Sequence, residues 1–233
     1  MSLSSKKLLI SGCGFSWGRQ QRKTWVNVLR ATGVDLTDTG GPAVSNQWII
    51  NRAFMAMLEQ HYDHVIIQIT SIGKLDVEIV GNRYRDLVAT DSLRSFTVDN
   101  VWPSSHSTEH PAKSLYQEFL LSPGLETQDL YCKLLMLEDW CRNRDIKLTV
   151  LQPYDIPWTD QQRAGLAHLI DHMAMPLYEQ YEQSKHYKHH DHANHNMVPC
   201  VQYHCELAMY VVMKAVPEMT HRLVRIQETY QAT

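Results

Sequence analysis

Two parts of the chain hold the residue types that hydrolytic chemistry requires. Near the start, the run KLLISGCGFSWG places Cys13 and Ser16 in or beside a glycine-rich turn. Near the end, residues 186–195 contain five histidines and Asp191, and His204 follows them. A serine or a thiol can attack a carbonyl carbon when a histidine accepts its proton and a carboxylate orients that histidine. The order of residues leaves open which histidine would reach Ser16.

The opening run has the form of a strand that ends in a site-forming turn. Lys7 to Ile10 is a short apolar strand that leads into a turn of small residues, Ser11 to Gly14, and then toward a helix. Sites in open α/β sheets form at the carboxyl ends of strands, because loops converge there and helix N-termini offer N–H groups. A βα turn without a chemical role is the alternative interpretation.

Strand and helix patterns alternate along most of the chain. The patterns predict four helices, over Thr24 to Ala31, Gln47 to Gln60, Thr127 to Arg144 and Asp160 to Met175. Ser45 is the expected N-cap of the second helix and Thr127 that of the third. Strands are predicted over Val34 to Leu36, His64 to Ile69 and Lys147 to Gln152. Residues 72–122 are expected to form a long insertion with one or two short helices. Two closing helices are expected at Val201 to Val216 and Pro217 to Tyr230. The alternation indicates a three-layer α/β fold of the flavodoxin type, a parallel sheet with helices on both faces.

Composition limits the class of protein. The 233 residues are 44% hydrophobic and 20% charged, which predicts one domain over residues 1–233 with a sizeable core. The net charge of -3 makes nucleic acid and anionic membranes unexpected partners. The chain has no signal-peptide pattern and no stretch of about 20 apolar residues, so a cytoplasmic location is expected. Five cysteines without a CxxC pair predict reduced thiols.

Two places in the sequence hold residues that could bind a metal. The histidines at residues 186–195 could bind a transition metal, since neutral imidazole is a good ligand, but their spacing matches no defined zinc motif and favours a solvated loop. His168 and His172 stand four apart on a predicted helix and form a weaker candidate. Glu138 and Asp139 are expected to lie on a solvated helix face. No metal or cofactor is therefore predicted.

The segment GCGFSWG at residues 12–18, with Thr24-Trp25 downstream, resembles a known family. It is similar to a branch of the SGNH or GDSL-type hydrolases that opens with Gly-Cys-Ser-Phe-Thr-Trp-Gly in place of Gly-Asp-Ser. The resemblance implies an SGNH-like fold and attack by a serine on an ester. Gly14 stands where the family has its nucleophilic serine. Either Ser16 has taken over that role, or catalysis through a serine has been lost.

Two internal segments resemble the family's oxyanion-hole blocks. Gly40, Gly41, Ser45 and Asn46 resemble the loop that supplies a donor beside a helix N-terminus, although a capped loop without that role is equally compatible. After the buried strand the family has an asparagine, whereas residues 70–74 of this chain read TSIGK. The hydrogen-bond donor that this asparagine supplies in the family is replaced here by Thr70 or Ser71, or it is absent.

The family's last block is an Asp-x-x-His pair near the C-terminus. If Pro199 is matched to the proline that commonly follows that histidine, Val198 occupies the histidine position and His195 the aspartate position. This match removes the pair. The nearby candidates that remain are Asp191, His192, His195 and His204.

The resemblance implies two functions of different classes. The first is an esterase-type hydrolase of a small acyl or O-acetyl ester, for example on a carbohydrate, with Ser16 attacking and His195 or His204 as base. The residues expected around the substrate carbonyl are Gly12, Cys13, Gly14, Gly41, Asn46, Thr70 and Ser71. The second is a catalytically inactive SGNH-like binding or assembly module. Because the branch is frequent among phage-encoded proteins, a virion or accessory role with oligomeric or virion partners, in the host cytoplasm or the virion, is then expected.

Overall fold

A computed structural model describes residues 6–13, 24–41, 44–70, 72, 74–78, 93–97, 122–153, 156–171 and 207–211. The strands are β1 (Lys7–Gly12), β2 (Asp35–Asp38), β3 (His64–Gln68), β4 (Lys74–Glu78), β5 (Leu93–Thr97), β6 (Lys147–Leu151) and β7 (Ile170–Asp171). The helices are α1 (Trp25–Ala31), α2 (Asn46–Glu59), α3 (Pro123–Arg142) and α4 (Asp160–Leu166), and residues 207–211 are also helical. Outside the long insertion, which holds β4 and β5, strands and helices alternate as the sequence predicts.

Five of the strands form one parallel sheet in the order β2-β1-β3-β6-β7. The register pairs Leu9 with Thr37 on one side and with Val65 on the other. The chain first moves from β1 outward to β2 and then returns across β1 to β3, so the direction of winding reverses between β1 and β3. This is the flavodoxin-type order, and the predicted α/β class with a parallel sheet is confirmed.

Helices cover both faces of the sheet because the strands are apolar on both sides. Leu9, Val65 and Ile67 belong to a buried cluster that includes residues of α2 and α3. Leu8 and Ile10 alternate with Leu9 and are also fully buried, on the opposite face. That face carries α1, because Trp25 of α1 donates a hydrogen bond to the side chain of Gln68 at the end of β3. The continuous apolar runs read from the sequence are thus strands buried on both sides.

Helix α3 begins and ends earlier than the sequence indicates. Pro123 is its first residue and Ser122 its N-cap, and Ser122 makes no side-chain capping bond. Thr127 lies inside the helix, where its hydroxyl donates to the carbonyl of Pro123 at 2.7 Å. The prediction of Thr127 as N-cap was wrong because proline at the first position already fixes a helical φ.

The predicted helix from Asp160 to Met175 also ends early. A capping box between Thr159 and Gln162 starts α4, but the helix stops at Leu166. Ile170 and Asp171 then pair with β6 as strand β7. Pairing with an available sheet edge therefore overrides local helical periodicity here.

The long insertion contains an element that the sequence patterns did not indicate. Strands β4 and β5 pair antiparallel, with Lys74 opposite Thr97 and Glu78 opposite Leu93. The short helices expected there fall outside the described residues. Residues 207–211 agree with the first of the two predicted closing helices, and the second lies outside the described part of the chain. None of the helices among the described residues has the length and apolar content that a membrane span requires.

Candidate functional site

The carboxyl ends of β1 and β3 lie side by side at the point where the winding of the sheet reverses. Gly12 ends β1, Gln68 ends β3, and the two residues are direct partners in the register. The strand extends two residues beyond the predicted Lys7 to Ile10, so Ser11 and Gly12 belong to β1 rather than to the turn predicted at Ser11 to Gly14. In sheets of this order the crevice outside the strand ends at the reversal point is where ligands bind.

The loop after β2 is fixed onto the end of β1 by main-chain hydrogen bonds. Thr39 N–H donates to the carbonyl of Ile10 at 2.9 Å, and Gly41 N–H donates to the carbonyl of Gly12 at 3.0 Å. A Cβ added to Gly41 would lie 2.9 Å from Trp48 Cη2 and 2.9 Å from Val44 Cγ1. Only glycine fits this approach. The Gly41 N–H, expected near the substrate carbonyl, is instead engaged within the protein.

Asn46 connects the N-terminus of α2 to the end of β3. It is the first residue of α2, directly after Ser45, whose hydroxyl accepts from Trp48 N–H at 3.0 Å. The Asn46 side chain donates through Nδ2 to the carbonyl of Thr70 at 2.9 Å and accepts from Thr70 N–H at 2.7 Å. Both polar atoms of the amide therefore bind the main chain of Thr70, which makes Asn46 a positioning residue for this edge.

The side chains of Ser11 and Cys13, at the carboxyl end of β1, face the core. Ser11 is fully buried and donates from its hydroxyl to the carbonyl of Ile49 in α2 at 2.8 Å. Cys13 is only 3% exposed and belongs to the same buried cluster as Ile49 and Ile67. The Cys13 thiol thus contributes to the packing of this cluster.

Sequence reasoning missed a polar pair at the same edge. Gln68 is fully buried, and its Oε1 accepts a hydrogen bond from Trp25 Nε1 at 2.9 Å. Within the part of the chain that the structure describes, the other polar atom of this side chain, Nε2, has no hydrogen-bond partner. The available signal was a glutamine near the end of the mostly apolar run HVIIQI.

The predicted nucleophile and base lie outside the described residues. This holds for Ser16, Gly14 and Ser71 and for the C-terminal candidates Asp191, His192, His195 and His204. Their roles stay predictions. Five of the expected site residues do lie together around the ends of β1 and β3: Gly12, Cys13, Gly41, Asn46 and Thr70. The chain before Ser16 and the loops after β2 and β3 therefore meet at one edge of the sheet.

The candidate metal ligands considered in the sequence give no site among the described residues. Among the described residues, no group of three or more His, Cys, Asp or Glu is placed to hold a metal ion, and residues 186–195 lie outside them. His168 lies in the turn after α4 rather than on a helix, and its Nε2 is 2.7 Å from Glu138 Oε1. The Glu138 carboxylate is thus paired with a side chain of another element. Asp139 lies on an exposed helix face, as expected, and its Oδ1 is 2.6 Å from Arg142 Nη2.

Two buried groups away from this edge have shifted pKa values. Burial, with smaller contributions from Lys147 and Lys6, lowers the pKa of His64 to about 3. Burial raises the pKa of the Cys141 thiol in α3 to about 12. At neutral pH both side chains are uncharged. Cys13, Cys132 and Cys141 are thiols rather than disulfide partners, in agreement with the cysteine pattern.

Comparisons with known proteins give a structural likeness only. No protein-family profile and no curated protein matches the sequence. The chain is similar in structure to a protein from Desulfitobacterium hafniense described as lipolytic and of the G-D-S-L family, with 11% identity, 88% of this chain and 97% of that chain covered, and a TM-score of 0.49.

Two other solved structures show the same degree of likeness. LAE5, an alpha/beta hydrolase enzyme from the metagenome of Lake Arreo, has 14% identity, coverage of 94% of this chain and 96% of its own, and a TM-score of 0.49. The esterase EstA from Pseudoalteromonas has 11% identity, covers 98% of this chain and 100% of its own, and has a TM-score of 0.46. All three TM-scores lie below 0.5, so conclusions about activity depend on the residues of this chain.

Proposed function

We propose that this chain is an esterase-type hydrolase of a small acyl or O-acetyl ester, carbohydrate esters included, built as one SGNH-like domain over residues 1–233. The observation that carries the proposal is that the loop after β2 and the first residue of α2 are bonded to the ends of β1 and β3, at the switch point where the winding of the sheet reverses. The Gly41–Gly12 bond and the Asn46–Thr70 bonds hold the N-terminus of α2 beside the ends of β1 and β3. The segment that contains Ser16 starts from this same edge.

The proposed reaction is acyl transfer through a serine. Ser16 Oγ attacks the ester carbonyl carbon while His195 or His204, oriented by Asp191, accepts the serine proton. The oxyanion is stabilised by main-chain N–H groups of the turn at Cys13 and Gly14 and at the start of α2, since the first N–H groups of a helix have no intrahelical acceptor. The same histidine then protonates the leaving alcohol, and water hydrolyses the acyl-enzyme.

Residues already engaged within the protein have supporting roles in this proposal. The main-chain N–H groups of Gly41 and Thr70 each have an acceptor in the protein. Gly41 and Asn46 therefore fix the spacing between the strand ends, and Ser71 is the remaining candidate donor after β3.

The test is hydrolysis of p-nitrophenyl acetate by the parent protein and by Ser16→Ala and Gly14→Ser. We expect activity in the parent and a loss of at least about 100-fold in Ser16→Ala, because the nucleophile is removed. Gly124→Ala serves as the control, since a Cβ at Gly124 meets nothing within 4 Å. Activity that survives in Ser16→Ala would contradict Ser16 as nucleophile.

A second candidate function is a catalytically inactive SGNH-like binding or assembly module, for example a phage virion or accessory protein. The observation that favours it is Gly14 at the position of the family's serine. An inert parent with activity gained in Gly14→Ser would support this function. A defined oligomer of the inert parent in sedimentation would point to assembly.

A further inference from the structure

The orphaned amide of Gln68 lies at the carboxyl edge of the sheet, at the switch point. Gln68, Gly12 and Leu151 form one row across three strands. Paired residues in a sheet point to the same face, and the Gln68 side chain meets Trp25 of α1, so this row faces α1. Gly12 carries no side chain, which leaves the position beside the amide unfilled by its strand partner.

The orientation of the Gln68 amide is fixed by its partner. An indole N–H is a donor only, so the atom 2.9 Å from Trp25 Nε1 must be the amide oxygen. The NH2 group is consequently held in one direction, and among the described residues it has no acceptor. A fully buried donor without an acceptor is destabilising, so its retention calls for a role, and an acceptor oxygen supplied by a ligand or a water molecule would satisfy it.

We infer that Gln68 is a substrate-binding residue whose Nε2–H donates to an oxygen of the acyl group. The ligand class is a small acyl compound with an acceptor oxygen, either the ester or the carboxylate that the reaction releases. This inference rests on the proposed hydrolase function. Trp25 acts as a positioning residue, because its N–H holds the amide oxygen and so presents the NH2 group.

A second Gln–Trp pair supplies a matched comparison. Gln152 follows β6 and is 3% exposed, and its Oε1 accepts from Trp158 Nε1 at 3.0 Å. Both glutamines are thus buried and bound to an indole, but Gln152 Nε2 is not among the buried polar atoms left without a partner in the described part of the chain. A general effect of disturbing a buried Gln–Trp pair would appear in both, whereas ligand binding would appear at Gln68 alone.

The primary measurement uses the unmodified protein and sodium propionate as the probe. The side-chain amide resonance of Gln68, identified by its proximity to the Trp25 indole proton, is followed in 15N NMR spectra during titration. We expect a saturable shift that is at least about fivefold larger than that of the Gln152 amide, with sodium chloride at equal ionic strength causing none. Equal shifts of the two amides, or no shift, would overturn the inference.

Kinetics of Gln68→Met and Gln152→Met separate this inference from the proposed function. We expect kcat/KM for p-nitrophenyl propionate to fall at least about 10-fold in Gln68→Met and less than about twofold in Gln152→Met, with both variants folded by circular dichroism. Hydrolysis that Gln68→Met leaves unchanged overturns the inference and retains the function. A propionate-dependent shift at Gln68 in a protein without hydrolysis retains the binding site and overturns the function.

Discussion

Asn46 and Thr70 are joined by two hydrogen bonds, of 2.9 and 2.7 Å, between the side-chain amide of one and the main chain of the other. The Asn46 amide presents a donor and an acceptor as a neighbouring peptide would, so it continues the pairing of the chain beyond the end of β3. Through this contact the first turn of α2 is fixed to the edge that holds the candidate site.

Replacing Asn46 by alanine should destabilise this edge. Thr70 is fully buried, and its N–H and carbonyl would both lose a partner, which we expect to cost about 1–3 kcal/mol of unfolding free energy. Urea unfolding measures the change. Asn51→Ala on the same helix is the control, because Asn51 is exposed and accepts a hydrogen bond from the side chain of Gln47 rather than holding a buried main-chain group. Similar losses in the two variants would contradict the role of Asn46.

Gly41→Ala should disturb the approach of the loop to β1. The added methyl group would lie 2.9 Å from the Trp48 ring and from Val44, so either the ring or the loop must move and the Gly41–Gly12 bond lengthens. We expect a loss of about 1–3 kcal/mol in urea unfolding and reduced ester hydrolysis. Gly124→Ala, with open space around the new methyl group, should be neutral or slightly stabilising. A neutral Gly41→Ala would refute the close contact.

His64 should make the protein less stable at mildly acidic pH. Its pKa is lowered from 6.5 to about 3 in the folded protein, first by burial and then by Lys147 and Lys6, so between these values the unfolded chain binds the extra proton. The unfolding free energy that depends on His64 staying neutral is fully present above pH 6.5 and is lost as the pH falls toward 3. From pH 7.5 to 5 we expect about 2 kcal/mol of unfolding free energy to be lost through this group.

Comparison of two histidine variants isolates the effect. His64→Leu should remove that part of the pH dependence, whatever its absolute stability, because no imidazole remains to be protonated at the site. His168→Gln should keep it, since the His168 side chain is 60% exposed. Parallel curves of unfolding free energy against pH for the parent and His64→Leu would contradict the prediction.

Cysteine labelling should distinguish an exposed from a buried thiol. Cys132 is exposed, whereas Cys141 is buried beside Met57 Sδ at 3.9 Å and has its pKa raised from 9.0 to about 12. Its thiolate fraction near pH 8 is roughly a thousandfold smaller than that of an unshifted thiol. Iodoacetamide should therefore label Cys132 at least about 100-fold faster, as followed by peptide mass spectrometry. Equal rates in the native protein would refute the burial of Cys141.

Local signals in the sequence determined most elements of the fold. The apolar runs around Leu9 and Ile66 indicated strands because a strand buried on both faces is apolar at most consecutive positions. The buried polar residues in these two strands, Ser11 and Gln68 among them, are held by hydrogen bonds. The amphipathic spacing of α2 and the capping residue Ser45 fixed that helix to within a residue. The alternation of these elements was sufficient to predict a parallel α/β sheet, and the glycine-rich segment after β1 indicated which strand end carries the candidate site.

Only the tertiary structure decided which polar groups are used and where the elements stop. The sequence assigned Gly41 and Asn46 to substrate binding, but the hydrogen bonds of both depend on residues more than 20 positions away in the chain. The strand at Ile170 exists because β6 offers it an edge, which no local pattern encodes. The orphaned donor of Gln68 has the same origin, since Trp25 engages its oxygen only after α1 has packed on the sheet.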